Sequence, residues 1–437
     1  MRIGVVVRGQ APKAGGAHSF EQSVIQGLLG SVSRHQFVFL DLAGSLARSV
    51  SMPGVKIVDL SGLESAALPR GGAKSSVRGA LRDATKAFGL QKHAQGLSRL
   101  ANLLMETYRG PQPTEPGQLE RAAIANRVDM VWFTHHGYPL RDTPYFSTVW
   151  DLAHRMLPFF PEVSHGGEWE VRERSYCRVL PSAAGVFVGT RAGKNQVSEL
   201  YGVNPENVFV NPFVVSPVDN SDCLANDAAL LKSLSLRPGF LFYPAQFWSH
   251  KNHVNLLYAL QILESEFGEH RDLVLTGSDK GNLQYVKSVV TSLGLEERVH
   301  FLGFVSDDAI AALYRNAVAM VFPTFVGPDN IPPLEAFAHG CPVVASRVEG
   351  AEEQLGDAAL IFDAASPEEM ARQLAAVISD PMLRSKLVAS GRDRVAKLTP
   401  EAYIGTALLA FDRFERIRRT WRPASFSDQG ASSEARS

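Results

Sequence analysis

The chain of 437 residues has only three cysteines, Cys177, Cys223 and Cys341. They lie far apart and match no metal or dithiol spacing, which argues against a disulfide framework or a structural zinc site and fits a reducing compartment. An excess of charge of one sign is missing too: 44 Lys and Arg stand against 45 Asp and Glu, a formal net charge of −1. With no global field to attract it, nucleic acid is not expected as a partner. No run approaches the ~18 consecutive apolar residues of a membrane span. The opening MRIGVVVRGQ enters a short β-like run without the apolar core of a signal peptide, so a cytoplasmic protein is expected. Carboxylates of Asp-x-Asp type are lacking, and no catalytic metal is expected.

What is present is ordinary for a protein with a large core: 45% hydrophobic and 20% charged residues. At roughly 150 residues per domain the length allows two or three domains. Residues 2–7 are apolar and β-branched, as in a strand buried on both faces. A loop with Gly15 and Gly16 follows. Ser19 and Gln22 then have capping-box spacing, and Phe20, Val24, Ile25, Leu28 and Leu29 mark one helical face. Further strands are expected at 36–40, 129–133, 145–150 and 208–210, and 186–189 leads into a helix. Residues 53–113 carry weak strand signals, with a helix expected over 77–108. A second alternating series has strands at 240–243, 273–275, 299–302, 319–322, 342–345 and 360–362, separated mostly by helical segments, as parallel strands require.

These spacings predict an α/β protein of two Rossmann-like, doubly wound parallel-sheet domains. The first spans 1–215, a linker 216–237, and the second 238–400. An amphipathic helix over 401–422 follows, and 423–437, rich in Ser and Ala, reads as a disordered tail.

The most informative run is 322–340. A strand ends at Phe322, a loop with Gly327, Asp329 and Asn330 follows, and a helix opens with Pro332 and Pro333, residues suited to a first helical turn. The amides of Asn330, Ile331 and Leu334, with the helix dipole, make a site for a phosphate or diphosphate. Glu335, one turn in, is placed to accept both hydroxyls of a ribose; the plain alternative is a capped helix with a surface Glu.

This run resembles the diphosphate-and-ribose segment of family-4 glycosyltransferases, whose pattern is a Glu, seven residues and a second Glu. Glu335 matches the second, which grips the donor ribose. Gly327 stands where the first would hold the donor sugar, and Asp329 is the nearest substitute. In YPAQFWSHKNH (243–253) the family's diphosphate-binding Lys is matched by Lys251, while Gln246 replaces its Arg. Residues 273–282 and 299–317 are similar to the strands and loops of the nucleotide domain, with Gly303 to Val305 reading the base through main-chain groups. Many members carry a His before an Asp-Leu pair near the reacting carbon; here Trp150 precedes Asp151 and Leu152. His154, or His135 and His136 at another strand end, are alternative polar contacts, each weighed against a structural role.

The resemblance implies a GT-B architecture, with two domains facing across a cleft, and a retaining, metal-independent hexosyltransferase with no cofactor. Its donor would be a nucleotide-diphosphate sugar, GDP-mannose or a UDP-hexose (dTDP-rhamnose also fits), and its acceptor a saccharide or lipid-linked saccharide in polysaccharide synthesis. Lys251, Glu335 and Asp151 are the catalytic candidates. Gly15, Gly16, His135, His136, Gln246, Gly303, Val305, Asp329, Asn330 and Ile331 are the candidates for substrate contact. Arg413, Arg416, Arg418, Arg419 and Arg422 allow either a solvated terminal helix or contact with the inner membrane surface. Two other readings stay open: a non-catalytic nucleotide-binding scaffold, and a nucleotide-sugar 2-epimerase.

Overall fold

A computed structural model describes residues 1–9, 16–46, 55–61, 117–215 and 224–421. The apolar strands pair as parallel ladders covered on both faces, and this is why they read as nearly unbroken hydrophobic runs. Among the described residues there are two sheets. The first holds β1 (Arg2–Val7), β2 (Gln36–Asp41), β3 (Lys56–Asp59), β4 (Met130–Phe133), β5 (Tyr145–Val149), β6 (Gly185–Val188) and β7 (Val208–Val210) in the order β3-β2-β1-β4-β5-β6-β7. The second holds β8 (Leu241–Pro244), β9 (Leu273–Thr276), β10 (Val299–Gly303), β11 (Ala319–Phe322), β12 (Val343–Ser346) and β13 (Ala359–Phe362) in the order β10-β9-β8-β11-β12-β13. Each sheet therefore reverses direction once, between β1 and β4 and between β8 and β11. Ligands of doubly wound sheets bind beyond the carboxyl ends of the strands at such points.

Helices are stopped and started by local chemistry. Ser306, Ser366 and Thr399 accept the amides of Ala309, Glu369 and Ala402, and Asp380 accepts those of Met382 and Leu383 between the helices Pro367–Ser379 and Pro381–Val395. The last helix, Pro400–Arg418, lies on the first sheet: the Phe411 ring meets Trp132 at 5.4 Å and Phe146 at 5.3 Å between centroids. Arg413 donates to the Glu206 carbonyl at 2.7 Å, Arg34 pairs with Asp412 at 2.7 Å, and Arg416 and Arg419 are exposed.

Three expectations change. β3 was not anticipated. The stretch expected as a linker carries a helix, Leu224–Ser233, whose Asp227 accepts from Arg315 at 2.6 and 2.8 Å and from Asn316 at 3.0 Å. The first helix runs Gly16–Gly30, so Ser19 and Gln22 lie inside it and do not form a capping box. Gly15, the helix expected over 77–108, Arg422 and the tail lie outside the described residues.

Candidate active site

The carboxyl ends of β8 to β11 form one wall of a cleft of about 440 Å³, and Gly16 to Phe20, Trp150 and Phe213 of the first domain form the other. Lys251 closes a short turn, Ser249–Lys251, and Asn252 in left-handed backbone (φ 60°) separates it from the helix His253–Phe267. Its ammonium lies 5.3 Å from the centroid of Phe322, at the end of β11. Burial lowers the Lys251 pKa to about 8, while Asp151 and Glu162 oppose the loss of its charge. Glu162 comes from the first domain and accepts the His250 amide at 2.8 Å, so both domains fix this turn.

The helix Ile331–Ala338 begins at the cleft with Pro332 and Pro333 in its first turn. Glu335 accepts from the Tyr314 hydroxyl at 3.2 Å and meets Ser19 Oγ of the first domain at 3.5 Å. Burial raises its pKa, Tyr314 and Ser19 pull it back, and Asp307 adds to the rise. Gly16, the first residue of its own helix, faces Ile331 so closely that a Cβ there would stand 3.3 Å from Ile331 Cδ1. Two helix N-termini thus meet across the cleft.

The loop before Ile331 differs from expectation. The Asn330 amide does not face an open phosphate site: it donates to Gln354 Oε1 at 3.0 Å, and Gln354 Nε2 donates back to the Asn330 carbonyl at 2.9 Å. Asp329 turns to the domain junction, accepting from the Phe213 amide at 3.2 Å and from Gln354 Nε2. Burial, with Glu353 adding to it, pushes its pKa up to about 7. Gly327 has φ 118°, and a Cβ there would fall 2.4 Å from Asn330 Oδ1, so this backbone has no place for a glutamate side chain. Gln246 accepts from the Trp248 indole at 2.9 Å, and the Gly303 carbonyl accepts from the Gly277 amide at 2.8 Å.

A family model described as glycosyl transferases group 1 matches residues 232–394. The chain is 26% identical over 294 residues to the O-antigen chain mannosyltransferase B of Escherichia coli, covering 66% of this chain and 74% of the relative. It is 30% identical over 287 residues to the D-inositol 3-phosphate glycosyltransferase of Corynebacterium glutamicum (strain R), covering 62% of this chain and 67% of that one. The chain belongs to the group 1 glycosyl transferases. Against the longer serotype-specific mannosyltransferase WbdA of Escherichia coli it is 24% identical over 273 residues, and the match spans 33% of that protein. The fold superposes on sucrose-phosphate synthase from Thermosynechococcus elongatus with a TM-score of 0.64 at 16% identity, over 96% of this chain and 100% of the other. The two facing domains are the GT-B arrangement.

In this group 1 glycosyl transferase, Lys251, Glu335, Gln246, Gly16, Gly303, Val305, Asp329, Asn330 and Ile331 line one cleft. Asp151, His135 and His136 do not line it. Asp151 pairs with Arg172 at 2.8 Å and caps the Ala153 amide at 2.9 Å; burial raises its pKa, but Arg172 and the cap outweigh it and the net shift is downward. His154 is fully buried, with Tyr201 at 3.1 Å and Glu173 at 3.2 Å, a structural place. Sequence reasoning missed His18, Ser19, Trp248, His250 and Gln354. His18 and Ser19 stand two and three residues after the glycine pair, a position that signalled them; Gln354 is 24 residues from the amide it holds and gave no local signal.

Proposed function

We propose that this glycosyltransferase moves a hexose, with retention and without a metal, from a nucleotide-diphosphate sugar to a saccharide or lipid-linked saccharide in polysaccharide synthesis. The observation that carries the reading is the convergence of Lys251, Glu335 and the helix N-terminus at Ile331 on one cleft. A leaving nucleoside diphosphate gathers negative charge, which the Lys251 ammonium and the helix end stabilise in a site partly closed to water. Glu335 holds the ribose, taking its two hydroxyls in place of Tyr314 and Ser19. The acceptor hydroxyl attacks from the face the diphosphate leaves and passes its proton to a diphosphate oxygen. Relatives named as mannosyltransferases favour GDP-mannose over a UDP-hexose as donor.

Among the described residues no helix is long and apolar enough to cross a membrane. In this reading a lipid-linked acceptor is met at the surface of a bilayer, with the exposed Arg416 and Arg419 available for anionic headgroups.

A thermal-shift series with GDP, UDP, dTDP and ADP and their sugar conjugates, with and without magnesium, tests the donor site. A metal-independent shift by one nucleotide, lost in Glu335→Ala, is the expected result. Gly327, with Gln246 and Asn330 already bonded within the protein, favours the alternative of a nucleotide-binding scaffold. No shift by any nucleotide, with no transfer product, would turn the reading toward a scaffold whose site is lost. Product analysis without acceptor separates transfer from 2-epimerisation.

A further inference from the structure

The loops after β1, β4 and β5, neighbours in the first sheet, bring together side chains that donor binding does not use. Arg8 follows β1, and its amide and that of Gly9 each donate to Glu21 at 2.8 Å, which fixes the root of the loop. The Arg8 guanidinium lies 5.9 Å from the Tyr138 ring centroid and donates to the Tyr138 hydroxyl at 3.3 Å. Tyr138 stands edge-on to His135 at 6.0 Å, His135 meets His136 at 5.9 Å, and His136 tilts against Tyr176 at 5.2 Å. The Tyr176 hydroxyl donates to the Asp151 carbonyl at 3.3 Å, and the Asp151 carboxylate pairs with Arg172. The group runs unbroken from Arg8 to Arg172, and Asp151 is the residue after Trp150 of the cleft wall.

Its charges do not balance. Arg172 has Asp151, but among the described residues no carboxylate pairs with Arg8. His135 Nδ1 accepts from the Gly137 amide at 2.8 Å, which places the ring proton on Nε2. That nitrogen is buried without a partner, in a side chain whose residue is 3% exposed. A buried donor with nothing to bond costs stability until something accepts from it. A guanidinium without a counter-ion in the same contact group supplies both the charge and the forked donors that an oxyanion fits.

We infer that Arg8, His135 and Tyr138 bind an oxyanion, a phosphate or a carboxylate, carried by the acceptor, so that the enzyme selects acidic acceptors. The word acceptor rests on the transfer reading above; the binding of the oxyanion does not. Calorimetric titration of the nucleotide-free protein with mannose, mannose 6-phosphate, glucuronate and inorganic phosphate tests it. At least one acidic sugar is expected to bind about ten-fold tighter than mannose, in line with one charge-assisted contact. The arm that wins identifies phosphate or carboxylate as the source. Arg8→Ala is expected to erase the advantage and Arg8→Lys to keep part of it. Tyr138→Phe, which frees the guanidinium without removing it, is expected to weaken the preference and guards against an unstable Arg8 variant. Equal binding of mannose and both acidic sugars, or a preference unchanged in Arg8→Ala, would overturn the inference. GDP and UDP titrations of the wild type judge the donor reading separately, because failure there leaves the sugar titrations intact.

Discussion

Apart from β7 the two sheets share one strand order, yet their switch points are used differently. At β8 and β11 the strand ends run straight into the cleft: Ala245, Gln246 and Lys251 follow β8, and β11 ends at Phe322 beneath the Lys251 ammonium. At β1 and β4 the strand ends lead to Arg8, His135 and His136, outside that cleft, and what the first domain brings to the cleft is the start of its first helix, Trp150 and Phe213. Equal topology supplies equal positions, and the residues placed there decide what each can do; the proposed function gives the leaving group to the second domain and the acceptor to the first.

If that division is right, the largest effect belongs to Lys251. Lys251→Ala is expected to lower kcat by about 10²- to 10³-fold, the cost of removing one preorganised charge from the developing diphosphate, with the thermal midpoint little changed. Equal turnover in wild type and variant would break the comparison. Glu335→Ala comes next: loss of a carboxylate bonded to a diol, at about 1.5–3 kcal/mol per charged hydrogen bond, is expected to weaken donor affinity by about ten- to a hundred-fold or more. Nucleotide titration reads this directly.

The junction between the domains gives the third test. A Cβ at Gly189 of the first domain would stand 1.4 Å from Asp329 Oδ2 of the second. Gly189→Ala is therefore expected to cost about 1–3 kcal/mol, seen as a lowered melting midpoint, and Asp329→Ala in the same chain is expected to restore part of it. Strict additivity of the two would refute the contact.

A pH slope gives the fourth test. Asp329 has its carboxyl pushed up to about 7 against an unfolded value of ~3.9. Its contribution is fully present below about pH 4 and is lost as pH rises through 7. Asp329→Asn is expected to flatten that slope between pH 4 and 7 in a comparison of melting midpoints. An unchanged slope would show that Asp329 is solvated in the folded protein.

Legibility in the sequence followed burial. Strands covered on both faces, such as Arg2–Val7 and Ala319–Phe322, announce themselves as apolar runs. β3, at a sheet edge with half-buried and exposed residues, has no such run, and its pairing with β2 is a property of the fold. Leu224–Ser233 read as a linker because Asn226 and Asp227 look like loop residues; the partner that makes Asp227 structural, Arg315, lies 88 residues away. In the cleft, Glu335 was legible from a Pro-marked helix start, a local pattern, and Lys251 from the resemblance of 243–253 to the family's segment; both line the cleft. Asn330 was misjudged for the opposite reason, since Gln354 reaches it through tertiary structure alone.

The chain crosses between its domains twice, once after Val215 and once before Pro400. The side chain of Asn211 donates to the Tyr403 carbonyl at 3.1 Å, and Tyr403 packs edge-on to Phe20 at 5.4 Å. The outgoing and returning strands of the chain are thus tied side by side. A single tether would act as a ball joint, free to swivel and twist; two tethers fastened together act as the pin of a door. Fastened in this way, the two crossings restrict how the domains can be turned against each other, and the register they keep is the one in which Ser19 meets Glu335 and Gly16 meets Ile331.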